Sequence, residues 1–486
     1  MFTAISMKQI ATVVILLALS SFQGFGSPLA IEVSDELWPQ WLQLLQAAPL
    51  PAGVQAVRSP PGSEPGWDRA ILGLGIEGKV VGFMPIVPVV TLGHEQNPVT
   101  LVDVTQGKIG ISPLCDVSLP KVAVPLEGLL PDEPGYPPFQ RIALQLQSSN
   151  PELLAWYEKI VEQTRPPSGH ELGILWVEAV GDIMPARGVD RTLLSKGGLE
   201  RVFGNTLSIL RGADLLLGNL ESSTARGGEP QNKSYTFRFQ GEAVEKLKEA
   251  GFSYLSLANN HAFDFGVQGF LQTLASVFES GILTSGAGRN LQEASAPSVF
   301  ELGGQEIRIL SFGAFPVDKT GFDGRISEEA NATRPGILWI DEQGLVAADR
   351  AFRGPLTFNI AFVHGGEEWR TTPTADQQKL YRNLVRHGAT LVLGAHPHVL
   401  EGMEVFDGSL IVYSLGNFLF PGMDGTHGGQ DSVILKLGIY QGRIRYVQAI
   451  PVRLSGASVR RAPDDLALKD LMARTRALEG ASANAN

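Results

Sequence analysis

The sequence predicts a layered α/β protein, and three observations support this. From about residue 172 to 455, strand-like apolar runs alternate with helical patterns. Several of those runs end directly in polar clusters, which is where open α/β sheets place ligands. Residues 31–165 have a different composition, so a smaller N-terminal α/β domain is expected ahead of the main one. The bulk composition agrees. The chain has 486 residues, enough for about two or three domains. Its 44% hydrophobic and 18% charged residues exclude a mainly disordered chain. Fifty-five glycines and 31 prolines without a Gly-X-Y period imply many turns and exclude collagen.

The elements follow in chain order. Lys8 precedes an apolar run at 10–19 that is too short to span a bilayer comfortably, and small residues follow at Gly24, Gly26 and Ser27. Residues 1–26 therefore read as a signal peptide. No cysteine lies there to carry a lipid anchor, and a membrane link exists only if the signal stays uncleaved. In 31–165, residues 38–45 have amphipathic spacing, 51–67 read as loop, 80–90 as a strand with edge-type prolines, 122–124 as a short strand and 151–164 as a helix. This block resembles half of a periplasmic substrate-binding domain, with a small accessory α/β domain as the alternative. Residues 165–170 form a linker. Beyond it, strands are expected at 172–184, 213–220, 252–258, 307–313, 357–363, 390–394 and 410–415, with helices at 241–250, 267–280 and 375–387. Residues 433–452 read as two strands around a turn at 440–443. In the C-terminal stretch, 456–486, a helix is expected at 464–478 before a tail.

Charge and cysteine content narrow the function. Thirty-nine basic against 50 acidic residues give a net charge of −11, which argues against nucleic acid as a partner. An anionic substrate stays open, because a metal ion can supply local positive charge. The single cysteine, Cys115, forms no intrachain disulfide and no cysteine-built zinc site. Any metal must be held by His, Asp, Glu and Asn.

Five clusters carry the chemistry, each at a strand end. Val180-Gly-Asp-Ile-Met-Pro-Ala-Arg187 places Asp182 where a carboxylate can meet a cation, although an Asp there is commonly a helix cap. In Gly218-Asn-Leu-Glu221, Asn219 and Glu221 share one face of an extended chain. Asn259-Asn-His-Ala-Phe-Asp-Phe-Gly266 crowds two amides, His261 and Asp264 together, more than an Asn turn requires. His364-Gly-Gly-Glu-Glu-Trp369 adds His364 and Glu368. Gly394-Ala-His-Pro-His398 sets two imidazoles two residues apart around a stiffening proline, a strong metal signal. Ser414-Leu-Gly-Asn-Phe418 is a weaker sixth element.

In this order these motifs resemble the CapA family, the poly-gamma-glutamate capsule biosynthesis family within the calcineurin-like metallophosphatase superfamily. The resemblance spans about 172–455. It implies a four-layer α/β/β/α sandwich with a metal centre at the strand ends. It further implies Asp182, Glu221 (bridging), Asn260, His364, His396 and His398 as metal ligands, His261 as general acid and Asp264 as its orienting partner. Arg187 and Glu368 would bind or position substrate, with Asn219, Asn259 and Asn417 as further substrate contacts. The superfamily's first motif is Asp-X-His, whereas here it is Asp182-Ile-Met184, so one histidine ligand is missing and the count, one ion or two, stays open. The donor set suits Mn, Fe or Zn better than Ca. The expected protein is an exported, periplasmic or extracellular metal-dependent hydrolase or transferase of the bacterial envelope. It would act at a phosphoester or amide of an anionic polymer or other anionic substrate. The alternative is a non-catalytic binding or assembly factor that works with export proteins, and a third reading is a general nucleotide phosphatase.

Overall fold

The computed structural model describes residues 173–462 except 353, 355 and 356, the helix at 466–483, and separate segments of the N-terminal third, chiefly 12–17, 29–34, 54–59, 68–74, 79–93, 108–114, 117–125 and 139–147. The chain divides into two compact units. One comprises Met1–Val89, Pro98–Val117 and Ala123–Gly173; the other comprises Val90–Asn97, Ser118–Val122 and Ile174–Asn486.

In the first unit the described elements are strands. Thr12–Leu17, Asp68–Leu74, Phe139–Gln147 and Lys79–Thr91 follow one another as antiparallel neighbours. Leu29–Ser34 and Val54–Ser59 form a parallel pair. The helix expected at 38–45 and, apart from Ala155, the one expected at 151–164 lie outside the described residues, as does the export segment apart from 12–17. Among the described residues, no helix is long and apolar enough to cross a membrane.

The second unit is mixed α/β with two large mixed sheets. Its main strands are β1 (Leu175–Ile183), β2 (Leu215–Leu220), β3 (Phe252–Ser256), β4 (Ser298–Leu302), β5 (Gln305–Ala314), β6 (Phe358–Gly365), β7 (Leu391–Ala395), β8 (Met403–Phe406), β9 (Ser409–Val412), β10 (Asn417–Leu419), β11 (Asp431–Tyr440) and β12 (Arg443–Ser455). Its main helices are α1 (Ala243–Ala250), α2 (Gly266–Glu279), α3 (Glu342–Ala351), α4 (Ala375–Arg386) and α5 (Leu466–Ala483). One sheet runs β12-β11-β1-β2-β3, with β10 added beside β1. The other runs β4-β5-β6-β7-β9-β8. β1, β2 and β3 are mutually parallel, and so are β5, β6, β7 and β9. The carboxyl ends within each parallel set therefore gather on one edge.

Strand periodicity explains how the sheets are buried. Alternate residues point to opposite faces. Leu175, Val177 and Ala179 of β1 join Ile307 and Ile309 of β5 and Phe358, Ile360 and Phe362 of β6 in one apolar cluster. The opposite face of the first sheet, with Leu216 and Phe252, packs with Val244 and Leu247 of α1 and Phe270 and Val277 of α2. The opposite face of the second, with Leu310, Phe312, Ala361 and Val363, packs with Ala347 and Ala348 of α3 and Tyr381 and Leu384 of α4. α4 opens with a capping box in which Thr374 and Gln377 satisfy each other's backbone N–H groups. Its buried side chains, Gln377, Tyr381, Leu384 and Val385, recur at helical spacing.

Candidate metal centre

Five strand ends deliver the site. Asp182 is the penultimate residue of β1, Glu221 follows β2, the loop 259–264 follows β3, His364 is the penultimate residue of β6, and His396 and His398 follow β7. Close backbone packing beneath the site makes this convergence possible. The Asp182 N–H donates to the Gly416 carbonyl at 3.0 Å. A Cβ on the neighbouring Gly181 would lie 1.8 Å from that same oxygen, so only glycine fits.

Two groups of buried ligand-type side chains share Glu221: Glu221, His364 and His396, and Asp182, Glu221 and His398. His364 Nε2 is 3.6 Å from Glu221 Oε1 and 3.1 Å from His396 Nδ1. His398 reaches Asp182 Oδ2 at 3.4 Å through Nδ1 and Glu221 Oε1 at 4.0 Å through Nε2. Asn260 Oδ1 joins at 2.8 Å from His364 Nε2. Among the described residues, neither Glu221 carboxylate oxygen nor His396 Nε2, all buried, has a hydrogen-bond partner. Leaving such groups uncompensated is costly. Together with the Asp, Glu, His and Asn donors, these orphaned atoms fit a divalent cation.

The electrostatics reflect the same crowding. Burial raises the Glu221 carboxyl well above its ordinary range, and the charges of Asp182, Glu368 and Asp264 push it further. Burial likewise holds His364 and His396 well below the usual imidazole value, and the neighbouring histidines add to the effect. Both rings are therefore neutral at pH 7, the form that binds metal. For His398 burial pulls down, but the hydrogen bond to Asp182 and the carboxylates of Asp182 and Glu368 outweigh it, and its value is raised. A bound cation inverts this local logic by favouring the charged carboxylate and the neutral rings.

The backbone is strained here as well. Among the described residues, six non-glycine residues have positive φ: Asp407 and Gln441, and also Arg187, Trp369, His396 and His398. The first two sit in the β8–β9 and β11–β12 hairpin turns. The other four all lie at the site, where stored strain is characteristic of function.

The remaining sequence-predicted residues fall as follows. His261 Nδ1 is 2.7 Å from Asp264 Oδ2, and its Nε2 faces Glu221 Oε1 at 3.9 Å. Asn219, Asn259 and Asn417 were expected at substrate. They are buried, and their amides are engaged with the other site residues. Asn219 Nδ2 donates to Asp182 Oδ1 at 2.8 Å and lies 3.1 Å from His364 Nδ1. Asn259 Nδ2 donates to Asn219 Oδ1 at 3.1 Å. Asn417 Oδ1 meets His398 Nδ1 at 2.9 Å. Arg187 and Glu368 are exposed at the rim. Met184 is fully buried in the apolar cluster of the first sheet.

Sequence reasoning missed several members. The side chain of Lys233 is only 3% exposed; it donates to Asp264 Oδ1 at 2.7 Å and to the Asn260 carbonyl. Its loop, rich in polar residues, carries no sign of this. Phe237 packs on the His261 ring at 4.3 Å, and Phe420 and Trp369 flank His398 at 4.9 and 5.3 Å. The alternation in Tyr235-Thr-Phe-Arg-Phe239 was the one available signal for Phe237.

With this geometry in hand, comparison with known proteins gives a consistent answer. Residues 177–422 match the family model for the bacterial capsule synthesis protein PGA_cap. The chain belongs to this CapA-type capsule and poly-gamma-glutamate biosynthesis family. It is 32% identical over 250 residues to the PGA biosynthesis protein CapA of Bacillus subtilis (strain 168), covering 51% of this chain and 63% of the relative. It is 28% identical over 313 residues to the capsule biosynthesis protein CapA of Bacillus anthracis, covering 62% and 73%. The chain thus spans just under two thirds of the first relative's length. A hypothetical protein from Thermus thermophilus, known from a crystal structure, aligns over 58% of this chain and all of its own, at 17% identity and a TM-score of 0.37.

Proposed function

We propose that this protein is a metal-dependent hydrolase or transferase of capsule or envelope polymer biosynthesis, built on a four-layer α/β/β/α sandwich of the metallophosphatase kind. It acts on a phosphoester or amide bond of an anionic substrate. The observation that carries this reading is the pair of buried ligand groups sharing Glu221, whose carboxylate oxygens have no hydrogen-bond partner among the described residues.

Asp182, Glu221, Asn260, His364, His396 and His398 would hold Mn, Fe or Zn, and the sharing of Glu221 supports a bridging role if two ions bind. Such a cation, when bound, polarises a substrate oxygen and lowers the pKa of water. The protein's own residues do the rest. Asp264 fixes the His261 ring through Nδ1, so Nε2 is the nitrogen that delivers a proton to the leaving group. Lys233 holds Asp264 from its other oxygen. Asn219 and Asn417 orient the ligand side chains, as partners of metal ligands generally do, and Asn259 holds Asn219 in turn. Phe237, Phe420 and Trp369 shield the rings from water.

The test is the metal content of the purified protein by elemental mass spectrometry, beside the Asp182→Ala/His398→Ala double variant. Tightly held Mn, Fe or Zn, lost in the variant, is the expected result. No metal in either after reconstitution would overturn the reading. An envelope location belongs to the same proposal and is supported by membership of a capsule-synthesis family. Sequencing the N-terminus of the fractionated protein tests it.

A further inference from the structure

We infer that the cleft formed by Arg187, Tyr235, Phe237, Arg238 and Phe265 is a second recognition site of the same centre. It takes an oxyanion that the substrate carries on an aliphatic arm, outside the bond being broken. This rests on the metal-centre reading and specifies what the substrate must bring to it.

The cleft encloses about 350 Å³, near the lower end of the roughly 300–1,000 Å³ of small-molecule sites. Two arginines line it. Arg187 leaves the β1 end at φ +54, donates from Nη1 to the Pro421 carbonyl at 2.8 Å, and lies 5.0 Å from the Phe237 ring centroid. Gly422, at φ +95, makes room for it, because a Cβ there would stand 2.6 Å from that Nη1. Arg238 lies over the Phe265 ring at 4.7 Å. Among the described residues, neither arginine has a carboxylate within ion-pair distance. In a chain with 50 acidic residues against 39 basic ones, two such arginines on one cleft are an arrangement for a ligand's charge. A guanidinium stacked on a ring keeps its in-plane N–H donors for a carboxylate or phosphate. The aromatic walls suit the methylenes of an arm. Phe237 ties the cleft to the centre, since its ring packs on His261 at 4.3 Å and its N–H donates to Asp264 Oδ2 at 2.6 Å.

The experiment uses calorimetric titration of the full-length protein, with metal content measured in parallel. The probes are a γ-linked glutamate pentamer, its fully amidated neutral counterpart, and glycerol 3-phosphate. At least one charged probe is expected to bind, and the neutral one much more weakly. Arg187→Gln or Arg238→Gln should weaken binding about threefold or more, and the double variant about tenfold or more, at unchanged metal content. Binding of the pentamer alone assigns a carboxylate, and binding of glycerol 3-phosphate alone assigns a phosphate. Three results would overturn the inference: no charged probe binds, the neutral pentamer binds as tightly, or the double variant keeps the parent's affinity. Arginine-independent binding to a metal-loaded parent sinks the cleft alone. Arginine-dependent binding to a parent that takes up no metal sinks the metal centre alone.

Discussion

Nδ1 of His261 lies 2.7 Å from Oδ2 of Asp264, and both side chains are buried. This contact decides which ring nitrogen faces Glu221. Without it the ring could turn, and burial would pull its affinity for a proton lower still, since Asp264 is what partly offsets the desolvation. Asp264→Asn is expected to lower turnover of a chromogenic phosphoester by about 10²-fold or more, within the range of positioned acid catalysis. Metal content should stay at the parent's level. Undiminished turnover would show that Asp264 does not position the acid.

Lys233 forms the other half of that arrangement. Its ammonium and the Asp264 carboxylate are both withdrawn from water. Removing one partner of a buried pair typically costs about 3–5 kcal/mol. Lys233→Met should lower the urea midpoint accordingly, with an unchanged slope. A midpoint equal to the parent's would mean that water or another cation compensates Asp264.

Glu328 predicts a pH effect. Both its carboxylate oxygens are buried and have no hydrogen-bond partner among the described residues, and burial pushes its value up to about 8, with Lys233 opposing and Asp264 adding. The folded state then keeps a proton that the unfolded state releases near pH 4.5. Between pH 4.5 and about 8 the native state binds more protons, so stability falls as pH rises across that window. Glu328→Gln should flatten this decline and stabilise the protein above pH 8 by a few kcal/mol. Denaturation midpoints at about pH 5 and pH 9 give the comparison, and an equal decline in both proteins would contradict it.

Gly181→Ala tests the close packing beneath the centre. The added carbon would lie 1.8 Å from the Gly416 oxygen that accepts the Asp182 N–H. Overpacking of this kind costs about 1–3 kcal/mol or more. A lower melting temperature and weaker metal retention are expected together. Gly227→Ala, whose new carbon would have no atom within 4 Å, is the matched control and should change neither.

Much of the fold was legible because apolar periodicity is local. The runs at 172–184 and 213–220 became β1 and β2, and the pattern at 375–387 became α4. The turn at 440–443 joins β11 to β12 as expected. β4, β8, β10 and α3 had no prediction, and β8 and β10 are only four and three residues long. β4 alternates buried and exposed positions over only five residues. α3 is rich in alanine and glycine, and its start is set by the Asp341 cap, which accepts from the Gly344 N–H. Weak apolar contrast hides such elements until a partner surface is present.

For the site, the sequence alone determined which strand ends carry imidazoles, amides and carboxylates, because residue type and position along a strand are one-dimensional facts. Their pairing across the sheets was decided only by tertiary structure. It turned Asn219 inward onto Asp182 and His364, with Asn259 behind it, and Asn417 onto His398; it brought His364 within 3.6 Å of Glu221, and drew Lys233 from a polar loop onto Asp264. Strand alternation says which face a side chain points to. Which partner waits on the facing sheet depends on register and on the packing of glycines such as Gly181, and neither is encoded within one local segment.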